Sequence, residues 1–193
     1  LSTLKTSQVT ALTTGNVAKI TTDQITSLTT AQIAALSTDQ VALFETRDIA
    51  VLSTAQTINL TTDGIVALTT DQARALSSAS LNVLTSAQLG ALATDDLAAL
   101  RTTQISELAT SQLVLLSTDQ MVAMTTAQIA ALLTEQVAAL TSDQINNLAS
   151  DDLQAMTTAQ IRALNSDQLS NLSTDQLVLM QSKDIAAISA SQV

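Results

Sequence analysis

The chain has no Pro, Cys, His, Trp or Tyr, one aromatic residue (Phe44) and three glycines, Gly15, Gly64 and Gly90. Each absence excludes something. Without His, Cys or Tyr the usual nucleophile–base pairs cannot be assembled, so no catalysis, small-molecule substrate or cofactor is expected. Without Cys there are no disulfides, which fits an exported protein that needs none and equally fits the cytoplasm. The missing Pro and sparse Gly remove the turns that a hairpin-rich sheet needs. Basic residues are few and scattered: Lys5, Lys19, Arg47, Arg74, Arg101, Arg162 and Lys183, against a net charge of −10. Phosphate neutralisation requires clustered cations, so nucleic acid and anionic membrane surfaces are poor partners. The longest apolar run, Ile129-Ala130-Ala131-Leu132-Leu133, is far short of the roughly 20 residues of a membrane span. No membrane insertion is expected.

What remains is a chain rich in aliphatic residues, Ala, Thr, Ser, Gln and Asp, 46% of it hydrophobic. That is enough apolar material for a core, though a thin and uniform one. It is arranged with a period of eight. Stepping by eight from Leu4 through Leu12 and Ile20 to Met180 and Ile188 meets 24 positions, all large and apolar. A second column runs from Leu1 and Val9 to Ile185 and Val193, broken only by Thr57 and Ala73; Ile58, next to Thr57, could restore burial there by a local shift. A third column, Thr6 to Ser182, is hydroxylic up to Ala190, and a fourth is Gln in 17 of 24 repeats. The consensus is Leu-Thr-Thr-Asp/Ala-Gln-Ile-Ala-Ala. Residues 1–193 thus read as a single continuous array of about 24 octapeptide repeats. No signal peptide is visible, and the array opens and stops in mid-repeat, as an excerpt of a longer one does.

The apolar spacing alternates three and five. Residues three apart on a strand face opposite ways, so one sheet face could not bury both columns. A continuous helix would advance the stripe by about 80° per repeat and leave no face to bury. Short helices satisfy both spacings. Ile33 and Leu36 share a helical face with Ala34 and Ala35 between them, and the preceding hydroxyls are N-cap residues. A cap at Thr29 places Gln32 at N3 and closes a capping box. A cap at Thr30 places the acid or Ala at N1. Gln favours the first reading and the near-invariant second hydroxyl the second. Such helices are too short to stand alone and must lean on their neighbours. The expected fold is therefore all-α: a solenoid of very short helices, one per repeat, both apolar columns pointing to its axis. The small Ala pairs predict close approach of successive helices, and the Gln residues could link repeats through their amides.

The residue before Gln adds a weaker signal. In every third repeat it is Asp23, Arg47, Asp71, Asp95, Asp119, Asp143, Asp167 and Ser191, holding six of the ten Asp residues of that column. This phase predicts three repeats per turn, a triangular coil. Stacking would align Asp71, Asp95, Asp119 and Asp143, making them candidate Ca²⁺ ligands alongside hydroxyl and carbonyl oxygens. Asp at a helix N-terminus is more simply accounted for by the helix dipole and solubility. The acid pairs Asp95-Asp96 and Asp151-Asp152 read as capping variants. The recurring Thr pairs, such as Thr29-Thr30 and Thr61-Thr62, could match an ice lattice, or cap helices.

The repeat, as in Leu116-Ser117-Thr118-Asp119-Gln120-Met121-Val122-Ala123, resembles octapeptide-repeat regions of large bacterial secreted or surface proteins, often labelled haem-utilisation or adhesion proteins. The resemblance covers the whole chain. It implies an extended structural region of an exported protein, extracellular or at the cell surface: a stalk, spacer or self-associating filament. It carries over no functional residue, and haem ligation has no support without His, Cys or Tyr, since Met121, Met124, Met156 and Met180 fall in the apolar columns. The Leu-Thr-x-x-Gln-Val pattern is also similar to the start of the longer repeats of plant-pathogen DNA-binding effectors, but the period and the acidic charge depart from them. Partners are thus expected to be further copies or an extended surface.

Overall fold

The computed structural model describes residues 1–190 and Gln192; Ser191 of the acidic phase and Val193 of the apolar column lie outside these. Among the described residues there are 23 α-helices and no strand, from α1 (Thr6–Thr10) to α23 (Ser182–Ile185), each of four to six residues. One octapeptide makes one helix, as its spacing predicts.

The N-cap of each helix is the residue before the second hydroxyl, itself a hydroxyl in most repeats. In α4 (Thr30–Ala34) the N-cap is Thr29, extended at φ −72°, ψ 159°. Its Oγ1 accepts the Gln32 N–H at 3.2 Å, and Gln32 Oε1 accepts the Thr29 N–H at 2.8 Å. Gln decides between the two caps because only N3 lies within reach of the cap nitrogen. The second hydroxyl is N1. At the other end the Leu36 N–H donates to Ile33 O at 3.2 Å, tightening the last turn. The break that follows is extended backbone: after α9 (Thr70–Ala75), Leu76 has ψ 140° and the next cap, Ser77, ψ 154°. Among the described residues none has positive φ and no peptide bond is cis. A helix stopped by two extended residues needs no left-handed residue, which is why the chain turns at every repeat with so little Gly and no Pro.

Contacts between helices cluster into two units, Leu1–Leu100 and Arg101–Val193. In the first, every helix packs on the one three repeats away. One stack is α1, α4, α7 (Thr54–Thr57) and α10 (Ser78–Asn82). A second is α2 (Thr14–Val17), α5 (Thr38–Ala42), α8 (Thr62–Val66) and α11 (Ser86–Ala91). The third is α3 (Thr22–Thr26), α6 (Thr46–Ala50), α9 and α12 (Thr94–Ala99). The second unit repeats the rule with α13 (Thr102–Ser106), α16 (Thr126–Ala130), α19 (Ser150–Ala155) and α22 (Thr174–Leu179) in one stack. Beside it stand α14 (Thr110–Leu113), α17 (Thr134–Ala139), α20 (Thr158–Ala163) and α23, then α15 (Thr118–Ala123), α18 (Ser142–Asn146) and α21 (Ser166–Ser170). Each unit is thus a three-sided coil with three repeats per turn.

Both apolar columns face inward: the first is buried without a gap from Ile20 to Met180, and the second from Val9 to Leu169. Ala34 points outward and Ala35 is half-buried. The expected close contact through Ala pairs is therefore not how these helices meet; residues three apart, Ile33 and Leu36, take the inward face between them. The expected shift at Thr57 is also absent. Thr57 itself is fully buried and Ile58 is 41% exposed. The hydroxyl is accommodated because Thr57 Oγ1 donates to Ser53 O at 3.0 Å and lies 3.1 Å from Ser80 Oγ on the adjoining α10.

Candidate functional site

The polar residue that repeats inside the coil is Gln, and the fold uses each end of its amide. Outside α14, Oε1 closes the capping box of its own helix. Nε2 reaches carbonyls of an earlier turn. Gln40 Nε2 donates to Val9 O and Leu12 O, both at 3.0 Å. Gln56 donates to Ile25 O and Leu28 O, both at 2.9 Å, and Gln72 to Val41 O at 3.0 Å and Phe44 O at 2.6 Å. In the second unit Gln136 donates to Ile105 O and Leu108 O, Gln144 to Leu113 O and Leu116 O, and Gln168 to Val137 O and Leu140 O. The separations are 31 and 28 residues each time. The accepting carbonyls belong to the last turn of a short helix, where a backbone lacks intrahelical donors. Gln does link repeats, but to backbone rather than to other Gln side chains. These amides are 1–6% exposed from Gln32 to Gln176 where Gln is buried, so a lost rung leaves buried groups unpaired.

Asp replaces Gln in four of these rungs: Asp48, Asp96, Asp152 and Asp184, all buried. The caps of their helices are Glu45, Ala93, Ala149 and Gln181, none of which accepts a side-chain cap bond. At Asp48, Asp96 and Asp152 the carboxyl at N3 accepts the cap N–H, and its charge suits the dipole. The second hydroxyl of the repeat three earlier joins in: Thr158 Oγ1 donates to Asp184 Oδ1 at 2.7 Å, and Thr70 and Thr126 bond Asp96 and Asp152. Burial pushes the carboxyls of Asp48, Asp96 and Asp152 above the ordinary Asp value. For Asp96 and Asp152 these Thr hydroxyls and the cap N–H groups pull the other way. Asp48 Oδ2 accepts the Glu45 N–H at 3.1 Å, while its buried Oδ1 has no partner. The sequence pattern marks Asp96 and Asp152 as capping variants and gives Asp48 and Asp184 no role. Their signal was their column: they occupy the Gln position, not the one before it.

The candidate cation ligands lie elsewhere. Asp71 and Asp95 are exposed on the contacting helices α9 and α12, and Asp119 and Asp143 are exposed on α15 and α18. Each is the second residue of its helix. Among the described residues no three His, Cys, Asp or Glu side chains come together in a way that could hold a metal ion. A cleft of about 370 Å³ in the second unit is bounded by Leu169, Leu177, Ile188, Ser166, Asp167 and Gln192. Its walls are mainly apolar, and one carboxylate with hydroxyls is not a nucleophile–base arrangement. No helix among the described residues is long and apolar enough to cross a membrane. On the surface Arg47 Nε meets Glu45 at 2.8 Å with both side chains exposed, a contact that adds little stability.

Comparison with known proteins adds one result. The family described as the ALTTAQ repeat matches this chain five times, at residues 17–44, 41–78, 90–126, 121–150 and 145–182. No curated protein matches it.

Proposed function

The chain belongs to the ALTTAQ repeat family, and from that premise we propose that it is a structural repeat region: a stalk, spacer or self-associating filament of an exported, surface-exposed protein. The observation that carries this reading is the use made of Gln. Buried amides such as Gln40, Gln56 and Gln72 are consumed in tying one turn to another. The chemistry that recurs along the chain is spent on holding its own backbone, as in a protein whose work is to have length and stiffness. It is not an enzyme on this reading, and its partners are further copies or an extended surface. Negative-stain electron microscopy of the purified chain tests it. Thin rods, or fibres at higher concentration, are expected; featureless globules would refute it.

A second reading, contact with a polymeric or ice surface, draws on one face. Along α4, α7 and α10 the outward residues Thr29, Thr30, Ala31, Thr54, Ala55 and Ala79 carry no charge and are exposed. Thermal hysteresis of a freezing solution separates an ice-facing surface from one that meets other copies.

A further inference from the structure

Asp48 occupies a rung whose register is known from its neighbours. Val17 and Ile20 stand 31 and 28 residues before it, as Val9 and Leu12 stand before Gln40, which bonds both. Asp48 Oδ2 accepts the cap N–H of Glu45, the role of Oε1 in a Gln rung. Oδ1 is buried with no partner, and Thr22, at the register from which Thr70, Thr126 and Thr158 meet the other Asp rungs, does not bond it. An ionised oxygen held away from water with no partner is strongly unfavourable. Three things relieve it: a cation, a water or a proton. A hard cation brings about six or more oxygen ligands and the space to hold them, and a water needs room and several partners. Oδ1 is sealed from solvent, and a proton needs no volume.

We propose that Asp48 is an acid-responsive rung: in the folded chain it takes up a proton and donates through it to the backbone carbonyls at Val17 and Ile20, as the Gln rungs donate permanently. Asp152, with Met121 and Met124 at the same register, differs in that the Thr126 hydroxyl already bonds its carboxyl. The charges around each are few. Helices α3 and α9, which pack on α6, bring Asp23, Asp71 and Arg74, and the local charges are Arg47 and Glu45. Burial outweighs the pull of Arg47 and raises the Asp48 carboxyl. Around Asp152, α16 brings no ionisable group, α22 brings Asp175, and Asp151 is adjacent. A carboxyl raised in the folded state adds stability that is complete below its unfolded value and disappears as pH climbs through the folded one. The Asp48 rung therefore tightens on acidification, the reverse of a salt-bridged carboxylate.

The test has two measurements on the full chain. A carbon-detected NMR titration follows the Asp48 carboxyl directly, and thermal unfolding compares wild type with Asp48→Gln near pH 7 and near pH 4. Asp48 is expected to titrate above the 3.8 of an unperturbed Asp. Asp48→Gln is expected to melt above wild type near pH 7, with the gap closing near pH 4. Titration at or below the unperturbed value, or a gap that does not change with pH, overturns the proposal. So does a change in the Asp48 signal on adding Ca²⁺ near pH 7, which would make the ligand a cation. Should the variant fail to fold, the titration alone decides.

Discussion

Gly64 is the rung with no side chain at all, and replacing it with Gln tests the account of the coil most directly. At its register, Ile33 O and Leu36 O stand 31 and 28 residues earlier, and the cap N–H of Thr61 waits for an Oε1. The gain has two parts. Removing Gly from a helix interior in favour of Gln returns about 0.5 kcal/mol. Two or three hydrogen bonds at about 1 kcal/mol each follow if the amide reaches its targets. Against them stands the loss of rotamer freedom, about 1.5–2 kcal/mol for Gln. Space costs little: a Cβ on Gly64 would lie 3.2 Å from Thr61 Oγ1 and 3.7 Å from Val41 Cγ2. The cap hydroxyl sits 3.0 Å from the Gly64 nitrogen but 3.2–3.3 Å from N3 in Gln56 and Gln72 repeats, so a relaxation of that size is already built into the fold. The net is a stabilisation of about 1 kcal/mol, or roughly 2–4 °C in Tm for a chain of this size. Repeat arrays can unfold by parts, so the sharper assay is native-state hydrogen exchange. The Thr61 amide should change from fast to protected, and Ile65 should exchange more slowly. Gly64→Ala is the control, gaining helix propensity but no rung. Equal effects of Ala and Gln, with Thr61 still exchanging freely, would refute the reasoning.

Two further outcomes follow from the same geometry. Gln72→Ala removes the donor to Val41 O and Phe44 O and the acceptor of Thr69 N–H; a loss of about 2–4 kcal/mol is expected in urea unfolding, since buried carbonyls are left unpaired. A loss under about 0.5 kcal/mol would show that water replaces the rung. Thr57→Val and Ser80→Ala, whose hydroxyls lie 3.1 Å apart, should each destabilise, while the double mutant costs less than their sum by about 1 kcal/mol in a double-mutant cycle; strict additivity would mean the two substitutions are independent.

Much of this architecture was legible in the residue pattern because the forces behind it are local. Ile33 and Leu36 are three apart, so they share a helical face, and the five-residue gap to Val41 must contain the break. The three-repeat turn was already visible in the phase of Asp71, Asp95, Asp119 and Asp143, which now lie in common stacks within their units. The choice between Thr29 and Thr30 as cap turned on Gln32, whose Oε1 is at N3. That its other end links repeats was legible; what that end bonds was not. Gln40 Nε2 bonds Val9 and Leu12 across 31 and 28 residues, and no local pattern announces an acceptor that is a backbone oxygen. For the same reason Asp96 and Asp152 read only as capping variants. Thr57 was misjudged because hydropathy alone has no place for a hydroxyl in a core, whereas Ser80, 23 residues on, supplies one.

The constant reach of the Gln rungs also says how such a coil must form. Its longest obligatory links span 28 and 31 residues, and that span stays fixed however many repeats are joined. Closing the first one means ordering about four repeats before any rung is made, a loop-entropy barrier that must be crossed once. Each later repeat then lands on a template already in place. Relative contact order therefore falls as the array lengthens, and growth is a zipper with one slow tooth. Doubling the number of repeats should leave the time to start folding almost unchanged and extend only the fast phase that follows.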